Sequence, residues 1–287
     1  MKVCLVTPWE NAWVPLFKKE IESRGYEFVL SKFPVKADII IHGWADSQPI
    51  EGCRNVMFLR RYELFGPFMK VDWSKIDHLI CVNSWIQDKV KEVFSDNKIS
   101  VPVSLIYNAF DVEKWTFKDR APGKKIGMAC HVHPKKNLPL ALQILARLPE
   151  DYELHIAGAI QDVCTAEYLN NLAYSMKRKI YLYGHINALD HWWEYMGCCL
   201  SSSLSEGNPN NVIEAMAKGI KPIVHHWPGA EDQFPEYTFN TVDEAVQMIE
   251  SDTYESGKYR RLVEKQFSLN NIRSAVDIAC CIPVRLQ

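Results

Sequence analysis

Hydrophobic residues follow two alternating patterns along this chain. Short runs of consecutive apolar residues predict strands buried on both faces, and segments with an apolar residue every third or fourth position predict amphipathic helices. In the first part of the chain, strands are predicted at 2–6, 27–30, 37–41, 56–59, 78–82 and 103–106, and helices at 13–23 and 85–94. This alternation indicates an α/β domain in which helices cover both faces of a parallel sheet.

A second domain of the same kind is predicted after a polar segment. Residues 118–125 combine charged residues with Pro and Gly, which is typical of an interdomain linker. Beyond it, strands are predicted at 126–130, 152–157, 180–183, 198–201 and 221–224, and helices at 137–148, 165–176, 242–250 and 259–267. We therefore expect two Rossmann-like doubly wound domains, 1–117 and 124–267, facing a cleft at the carboxyl ends of their strands.

The segment 205–219 gives the strongest indication of chemistry. It reads S-E-G-N-P-N-N-V-I-E-A-M-A-K-G, which predicts a loop that runs into a helix. Asn208 suits the N-cap, Pro209 suits the first helical position, and Gly219 can end the helix in a left-handed conformation. The N–H groups and the dipole of such a helix start attract a phosphate.

Two carboxylates, Glu206 and Glu214, flank this predicted helix start. A carboxylate accepts hydrogen bonds from two neighbouring hydroxyl groups, so it is suited to sugar binding. A phosphate site between two hydroxyl-binding acids is what a nucleotide sugar needs. The alternative is that Glu206 caps the helix and that Glu214 is an ordinary helix acid.

The same segment resembles the C-terminal domain of retaining GT-B glycosyltransferases of the GT4 type (glycosyltransferase group 1). In that family two Glu residues are separated by seven others and followed by Ala-Met-Ala and a Gly. The resemblance implies that Glu206 contacts the donor sugar and that Glu214 binds the ribose. It also implies diphosphate binding at the helix start, which includes Gly207, Asn208, Asn210 and Asn211.

The resemblance has further implications for the whole chain. The turn I-Y-N-A-F-D at 106–111 resembles the family's I-x-N-G-V-D turn, with Ala109 in place of Gly, and would end the first domain. Residues 268–287 would pack back on that domain. The implied reaction is a metal-independent, retaining hexosyl transfer in the interdomain cleft.

Residues 131–137, H-V-H-P-K-K-N, follow the first strand of the second domain. The family has Arg, four residues and Lys here, and both cations neutralise the diphosphate. Lys136 lies at the Lys position, but His131 replaces the Arg and lacks its permanent charge and forked geometry; Lys135 can compensate. Cations at a helix start oppose the helix dipole, which favours an anionic ligand over a solvated helix start. A metal pair at His131 and His133 is the other alternative, although no carboxylate or Cys-x-x-Cys partner is near in sequence.

Further candidate residues lie at strand ends and in the first loop. Gly158 and Gly184 either let the backbone approach the nucleotide or form simple turns. On the acceptor side of the cleft we place His42, Arg60 and Trp9. His42 can also be a turn residue, Arg60 can balance phosphate charge, and Trp9 can stack on a sugar or base or fill core space.

Composition and charge narrow the function classes. The chain has 287 residues and a formal net charge of -2, which gives no sign of a nucleic-acid or membrane-surface binder. No run approaches the roughly 20 apolar residues of a membrane span, and the N-terminal run is too short for a signal peptide. Nine cysteines without a C-x-x-C motif indicate buried, reduced thiols in a cytoplasmic protein.

The sequence therefore predicts transfer of a sugar from a nucleoside diphosphate donor, UDP- or GDP-linked, to an acceptor hydroxyl. The donor is a substrate, and no cofactor is expected. An acceptor glycan, a lipid-linked sugar and a modified nucleobase all fit as acceptors. Two alternatives stay open: a nucleotide-sugar epimerase on the same fold, and an inactive GT-B protein that binds nucleotide. The His131 substitution and the altered first loop favour the second alternative.

Overall fold

The computed structural model describes residues 1–8 and 12–281, and these form two compact units. The first unit comprises residues 1–110 and the segment from Phe267 onward, and the second comprises Asp111–Gln266. The boundary between the two units lies after residue 110, before the linker predicted at 118–125. The reason is that the chain already contacts the second unit at Trp115. The carbonyl oxygen of Trp115 accepts a hydrogen bond from Arg260 at 2.9 Å.

The first unit is built on a six-stranded parallel sheet. Its strands are β1 (Lys2–Val6), β2 (Glu27–Ser31), β3 (Ile39–His42), β4 (Arg54–Leu59), β5 (His78–Cys81) and β6 (Val103–Leu105), and its helices are α1 (Val14–Ser23) and α2 (Ser84–Asp96). The strand order is β2-β1-β3-β4-β5-β6. Helix α2 shows how the sequence fixes an element: the Asn83 side chain accepts the N–H of Ile86 at 3.2 Å, and Ile86, Val90 and Phe94 form the buried face.

The second unit contains another six-stranded parallel sheet. Its strands are β7 (Lys125–Ala129), β8 (Glu153–Ala157), β9 (Lys179–Leu182), β10 (Cys198–Ser201), β11 (Lys221–His225) and β12 (Thr238–Phe239), in the order β12-β11-β10-β7-β8-β9. Its helices are α3 (Leu138–Arg147), α4 (Val163–Ser175), α5 (Leu189–Trp193), α6 (Asn210–Ala217), α7 (Ala230–Gln233), α8 (Val242–Glu250) and α9 (Ser256–Gln266). One buried core cluster lies where α3, α4 and α8 pack on the sheet.

The order of strands in the second sheet fixes its ligand-binding edge. From β7 the chain adds β8 and β9 on one side, then returns to add β10, β11 and β12 on the other. The loops that follow β7 and β10 therefore leave neighbouring strands in opposite directions. The crevice between such loops is where open α/β sheets bind ligands. His131 follows β7 and Glu206 follows β10, so the topology brings the two predicted segments together.

The C-terminal helix α10 (Asn270–Ala279) completes the core of the first unit. It buries Ile272, Ala275 and Val276 against α1 and the sheet. Arg24, at the end of α1, forms an ion pair with Asp277 at 2.6 Å. Residues 270–279 thus pack within the first unit.

The nine cysteines are all unpaired, as predicted, but they are not all buried, since Cys164 and Cys281 are exposed. Among residues 1–8 and 12–281, each helix is too short or too polar to cross a membrane.

Candidate functional site

The second unit holds a cavity of about 370 Å³ at the carboxyl edge of its sheet. The loops after β7, β8, β9 and β10 and the start of α6 all contribute to it. The predicted site residues that line it are His131, Lys136, Gly158, Glu206, Asn208, Asn210, Asn211 and Glu214. In the part of the chain that the structure describes, Gly184 and Gly207 are adjacent to lining residues without lining the cavity themselves.

Glu206 is a buried carboxylate held by two lysines. The Nζ of Lys136 lies 2.5 Å from Oε1, and the Nζ of Lys135 lies 3.2 Å from Oε2. Burial acts to raise the pKa of Glu206, but the charges of Lys136 and Lys135 outweigh it, and the pKa is lowered. Glu206 is therefore an ionised acceptor with both oxygens in ion pairs, and the alternative that it caps the helix is wrong.

Backbone hydrogen bonds fix the two lysines beside Glu206. Lys135 and Lys136 lie in a short 3-10 turn after β7, not in the first turn of α3. Ser202 donates its hydroxyl to the carbonyl of Lys136 at 2.7 Å, and the N–H of Leu204 bonds the carbonyl of Lys135 at 3.0 Å. The loop after β10 is thus attached to the turn after β7, which keeps the carboxylate and the ammonium groups together.

Helix α6 begins at Asn210, with Pro209 at the N-cap and no side-chain cap. The prediction that Asn208 caps this helix is wrong. The Asn208 amide instead donates to the Gln233 side chain at 2.8 Å, and Gln233 donates to the carbonyl of Gly207 at 2.9 Å. Asn210 and Asn211 line the cavity, so the positive end of α6 faces it.

Glu214 lies on the second turn of α6 and also lines the cavity. It is partly buried, and this burial raises the pKa of Glu214 to about 7. Among the described residues, Glu214 forms no ion pair. A carboxyl group in this state gains from ligand hydroxyls that donate to it, because they replace the water it has lost.

His131 lines the cavity, and one of its ring nitrogens is bonded to the backbone. Its Nδ1 accepts the backbone N–H of Ala159 at 3.2 Å, which leaves the proton on Nε2. Gly158 makes this arrangement possible, because a Cβ at that position would lie 2.1 Å from the carbonyl oxygen of Cys130. The close approach that requires glycine here is between two backbone segments. Gly184 has a φ of +67°, so it is a turn glycine.

The His133 side chain forms a hydrogen bond with the backbone of the same turn. Its Nδ1 accepts the N–H of Lys135 at 3.1 Å and so caps the 3-10 turn. Among the described residues no three His, Cys, Asp or Glu side chains come together as a metal-binding group.

The candidate residues His42 and Arg60 of the first unit are buried inside that unit. His42 is fully buried, and its ring nitrogens lie 2.6 Å from the Ser47 hydroxyl and 3.1 Å from the Asn55 side-chain oxygen. The expectation that His42 faces a ligand is therefore wrong for this structure, and burial lowers its pKa. Trp9 lies outside the described residues.

Arg60 is buried within the first unit. It donates to the carbonyl of Gly43 at 2.9 Å and to the Asn108 side chain at 2.5 Å. Its guanidinium lies 4.4 Å from the ring centroid of Trp13, and burial lowers its pKa to about 10. Asn108 thus binds Arg60 through its side chain, and a role for Arg60 toward an acceptor stays a prediction.

One partner of the site had no signal in the sequence, and another was given a different role. Gln233 lies 25 residues beyond Asn208, in a four-residue helix with no periodicity to reveal it. Lys135 was a candidate for phosphate charge, yet its contact is with Glu206. The adjacent lysines could have suggested an ion pair with Glu206. That inference needed the contact between the loops after β7 and β10, which the sequence does not show.

Comparison with known proteins assigns the fold and the family of the second unit. Residues 123–250 match the model of the family "Glycosyl transferases group 1". The second unit therefore contains a domain of this family, and the chain has the GT-B fold of two Rossmann-like domains. No curated protein matches the chain in sequence.

Solved structures similar to the chain along nearly its whole length support the fold. Anabaena Alr3699/HepE in complex with UDP-glucose is 10% identical, with a TM-score of 0.75, and the match covers 98% of this chain and 100% of that one. A glycosyltransferase from Rickettsia africae ESF-5 is 13% identical, with a TM-score of 0.71 and 98% of each chain covered. The apo form of the lipopolysaccharide outer core galactosyltransferase WaaB is 14% identical, with a TM-score of 0.69, and the match covers 96% of this chain and 99% of that one.

Proposed function

We propose that this chain transfers a sugar from a nucleoside diphosphate donor to an acceptor hydroxyl, with retention of configuration and without a metal ion. The observation that carries the proposal is the cavity at the carboxyl edge of the second sheet. It brings together the Glu206–Lys136 ion pair, the start of α6 and the partly buried Glu214. The similar HepE fold was solved with UDP-glucose, which makes UDP-sugars the first donors to test.

Each group in the cavity has a role in this proposal. Glu214 accepts hydrogen bonds from the ribose hydroxyls, and Glu206 accepts them from the donor sugar. The diphosphate lies between them, against the start of α6, Lys136 and the Nε2–H of His131. These fixed dipoles and charges stabilise the negative charge that develops as the bond from the sugar carbon to the diphosphate breaks. The acceptor hydroxyl forms the new bond and passes its proton late to a donor phosphate oxygen, so no strong protein base is needed.

A thermal-shift measurement with UDP, GDP, ADP, CDP and their common sugars tests donor binding. A ligand at about 100 times its Kd adds roughly 2.7 kcal/mol of stability. We expect stabilisation by one nucleotide family and its loss in Glu214→Ala. An absence of stabilisation by every nucleotide would contradict the proposed site.

Turnover then separates this function from the two alternatives. We expect Glu206→Ala to abolish transfer while the fold and nucleotide binding persist. Conversion of the donor with no acceptor present would indicate an epimerase, and binding without turnover by the native chain would indicate an inactive GT-B protein. Full activity of Glu206→Ala would remove Glu206 from the proposed mechanism.

A further inference from the structure

We propose that Lys135 is a positioning residue, which holds the Glu206 carboxylate in place so that Lys136 can turn to the diphosphate. The part of this inference that concerns the diphosphate rests on the proposed function. The part that concerns Lys135 and Glu206 rests on geometry within the second unit.

The two lysines are not equivalent in the structure. Lys136 lines the cavity and meets Oε1 of Glu206, the oxygen at the shorter contact of 2.5 Å. Lys135 is not among the residues lining the cavity, and it meets Oε2 at 3.2 Å. Lys136 is therefore placed to contact a ligand in the cavity. Lys135 is placed to hold the carboxylate without lining the cavity.

The charges explain why both lysines are needed. The Glu206 side chain is only 9% exposed, and a buried carboxylate that loses its only cation is strongly destabilised. If Lys136 alone paired with Glu206, a diphosphate that bound Lys136 would leave Glu206 in that state. Lys135 removes this conflict, because Oε2 keeps its cation while Oε1 becomes free to accept a sugar hydroxyl.

The remaining groups around Glu206 do not replace Lys135. The Ser203 hydroxyl, from the loop after β10, donates a hydrogen bond to Glu206, and the Cys130 thiol lies nearby after β7. Neither carries positive charge. In the described part of the chain, Lys135 and Lys136 are the cations paired with Glu206.

The test compares Lys135→Met, Lys135→Arg and Lys136→Met with the native chain. The matched control is Lys179→Met, since Lys179 forms an exposed ion pair with Glu153 at 3.0 Å in the same unit. The first readout needs no ligand: ¹³C NMR of labelled glutamate carboxyl groups, with Glu206 assigned from Glu206→Gln. We expect the Glu206 titration midpoint to rise in Lys135→Met, to return toward the native value in Lys135→Arg, and to stay native in the control.

The second readout separates positioning from phosphate binding. Lys135→Met should bind the nucleoside diphosphate as the native chain does, yet lose about 10²-fold in kcat because Glu206 is misplaced. Lys136→Met should lose nucleotide affinity. Equal losses of affinity in both variants would make Lys135 a phosphate ligand and overturn the inference.

An unchanged Glu206 titration in Lys135→Met would overturn it as well, whatever the enzyme does. If the native chain binds no nucleotide while the titration shifts as expected, the proposed function fails and the contact between Lys135 and Glu206 stands. The two failures are therefore distinguishable.

Discussion

The carboxyl group of Glu214 changes its protonation state close to neutral pH, and this gives the site a measurable signature. Its raised pKa, about 7, comes from partial burial on α6 without a cation beside it among the described residues. Only the ionised group is a full acceptor for two hydroxyls. A ligand that donates hydroxyls to it therefore favours ionisation and releases a proton on binding.

We expect the affinity for a UDP-sugar to rise with pH up to about 7 and then level off, because the ribose hydroxyls bind the ionised Glu214. The sugar-linked diphosphate does not titrate in this range, unlike the terminal phosphate of free UDP. Isothermal titration calorimetry in buffers of different ionisation enthalpy measures both the affinity and the released proton. Glu214→Gln should bind more weakly with a flatter profile, and this comparison assigns the pH dependence to Glu214.

The same shift makes a prediction for stability in the absence of ligand. A carboxyl whose folded pKa is raised stabilises the fold below its unfolded pKa, and this contribution is lost as pH rises through about 7. Glu214→Gln should therefore become more stable than the native chain as the pH increases across this window. Parallel urea unfolding at several pH values checks the sign; a native chain that gains stability relative to the variant would refute it.

At the scale of elements, the sequence predicts most of the strands because their signal is local. The runs at β1 (Lys2–Val6) and β10 (Cys198–Ser201) and the periodicity of α8 (Val242–Glu250) give the observed bounds. The start of α6 was misplaced by contrast, because the partner that occupies Asn208 comes from α7 (Ala230–Gln233). A contact between distant segments leaves no trace in a local pattern.

The packing partners of His42 and Gly158 could not be predicted from the sequence for the same reason. His42 ends a strand, where cleft residues are common, but Ser47 and Asn55 enclose its ring. Gly158 was expected to face a nucleotide or a simple turn, and the group that needs its lack of a Cβ is the Cys130 carbonyl. The residue types of the site could be predicted from the sequence, whereas their packing partners required the fold.

The attachment of α7 to the loop before α6 gives a testable consequence. Gln233 is fully buried and bonds both Gly207 and Asn208, so Gln233→Ala removes two hydrogen bonds at once. We expect a loss of about 1–3 kcal/mol in the free energy of unfolding. Nucleotide affinity should fall as well, because the loop that orients the start of α6 is loosened. Urea unfolding and nucleotide titration of the variant measure the two effects.

The control for this prediction is Gln247→Ala, which removes an exposed glutamine from α8 in the same unit. It should leave both the unfolding free energy and the affinity close to native values, within about 0.5 kcal/mol for stability. A Gln233→Ala variant that is destabilised but binds nucleotide with native affinity would show that α7 supports the fold without orienting the site.

At the scale of the whole molecule, the donor-site residues and the core beneath them belong to one unit. The apolar cluster formed by α3, α4, α8 and the second sheet lies wholly within residues 111–266, and so does every residue that lines the cavity. The first unit has its own clusters, one of which needs α10 from beyond residue 266. Donor binding should therefore require the second unit alone, whereas transfer should require both units.

We therefore expect a fragment of residues 111–266 to fold alone and to bind the donor nucleotide. Its length lies within the ordinary range for a domain, and the apolar cluster of α3, α4, α8 and the second sheet lies wholly within it. Calorimetry should show one cooperative transition, and nucleotide at about 100 times its Kd should stabilise the fragment by roughly 2.7 kcal/mol.

The fragment should transfer no sugar, and its Glu214→Ala variant should fold without being stabilised by nucleotide. A folded fragment that ignores a nucleotide bound by the full chain would show that the first unit supplies part of the donor site, and the assignment of the donor to the second unit alone would then be wrong.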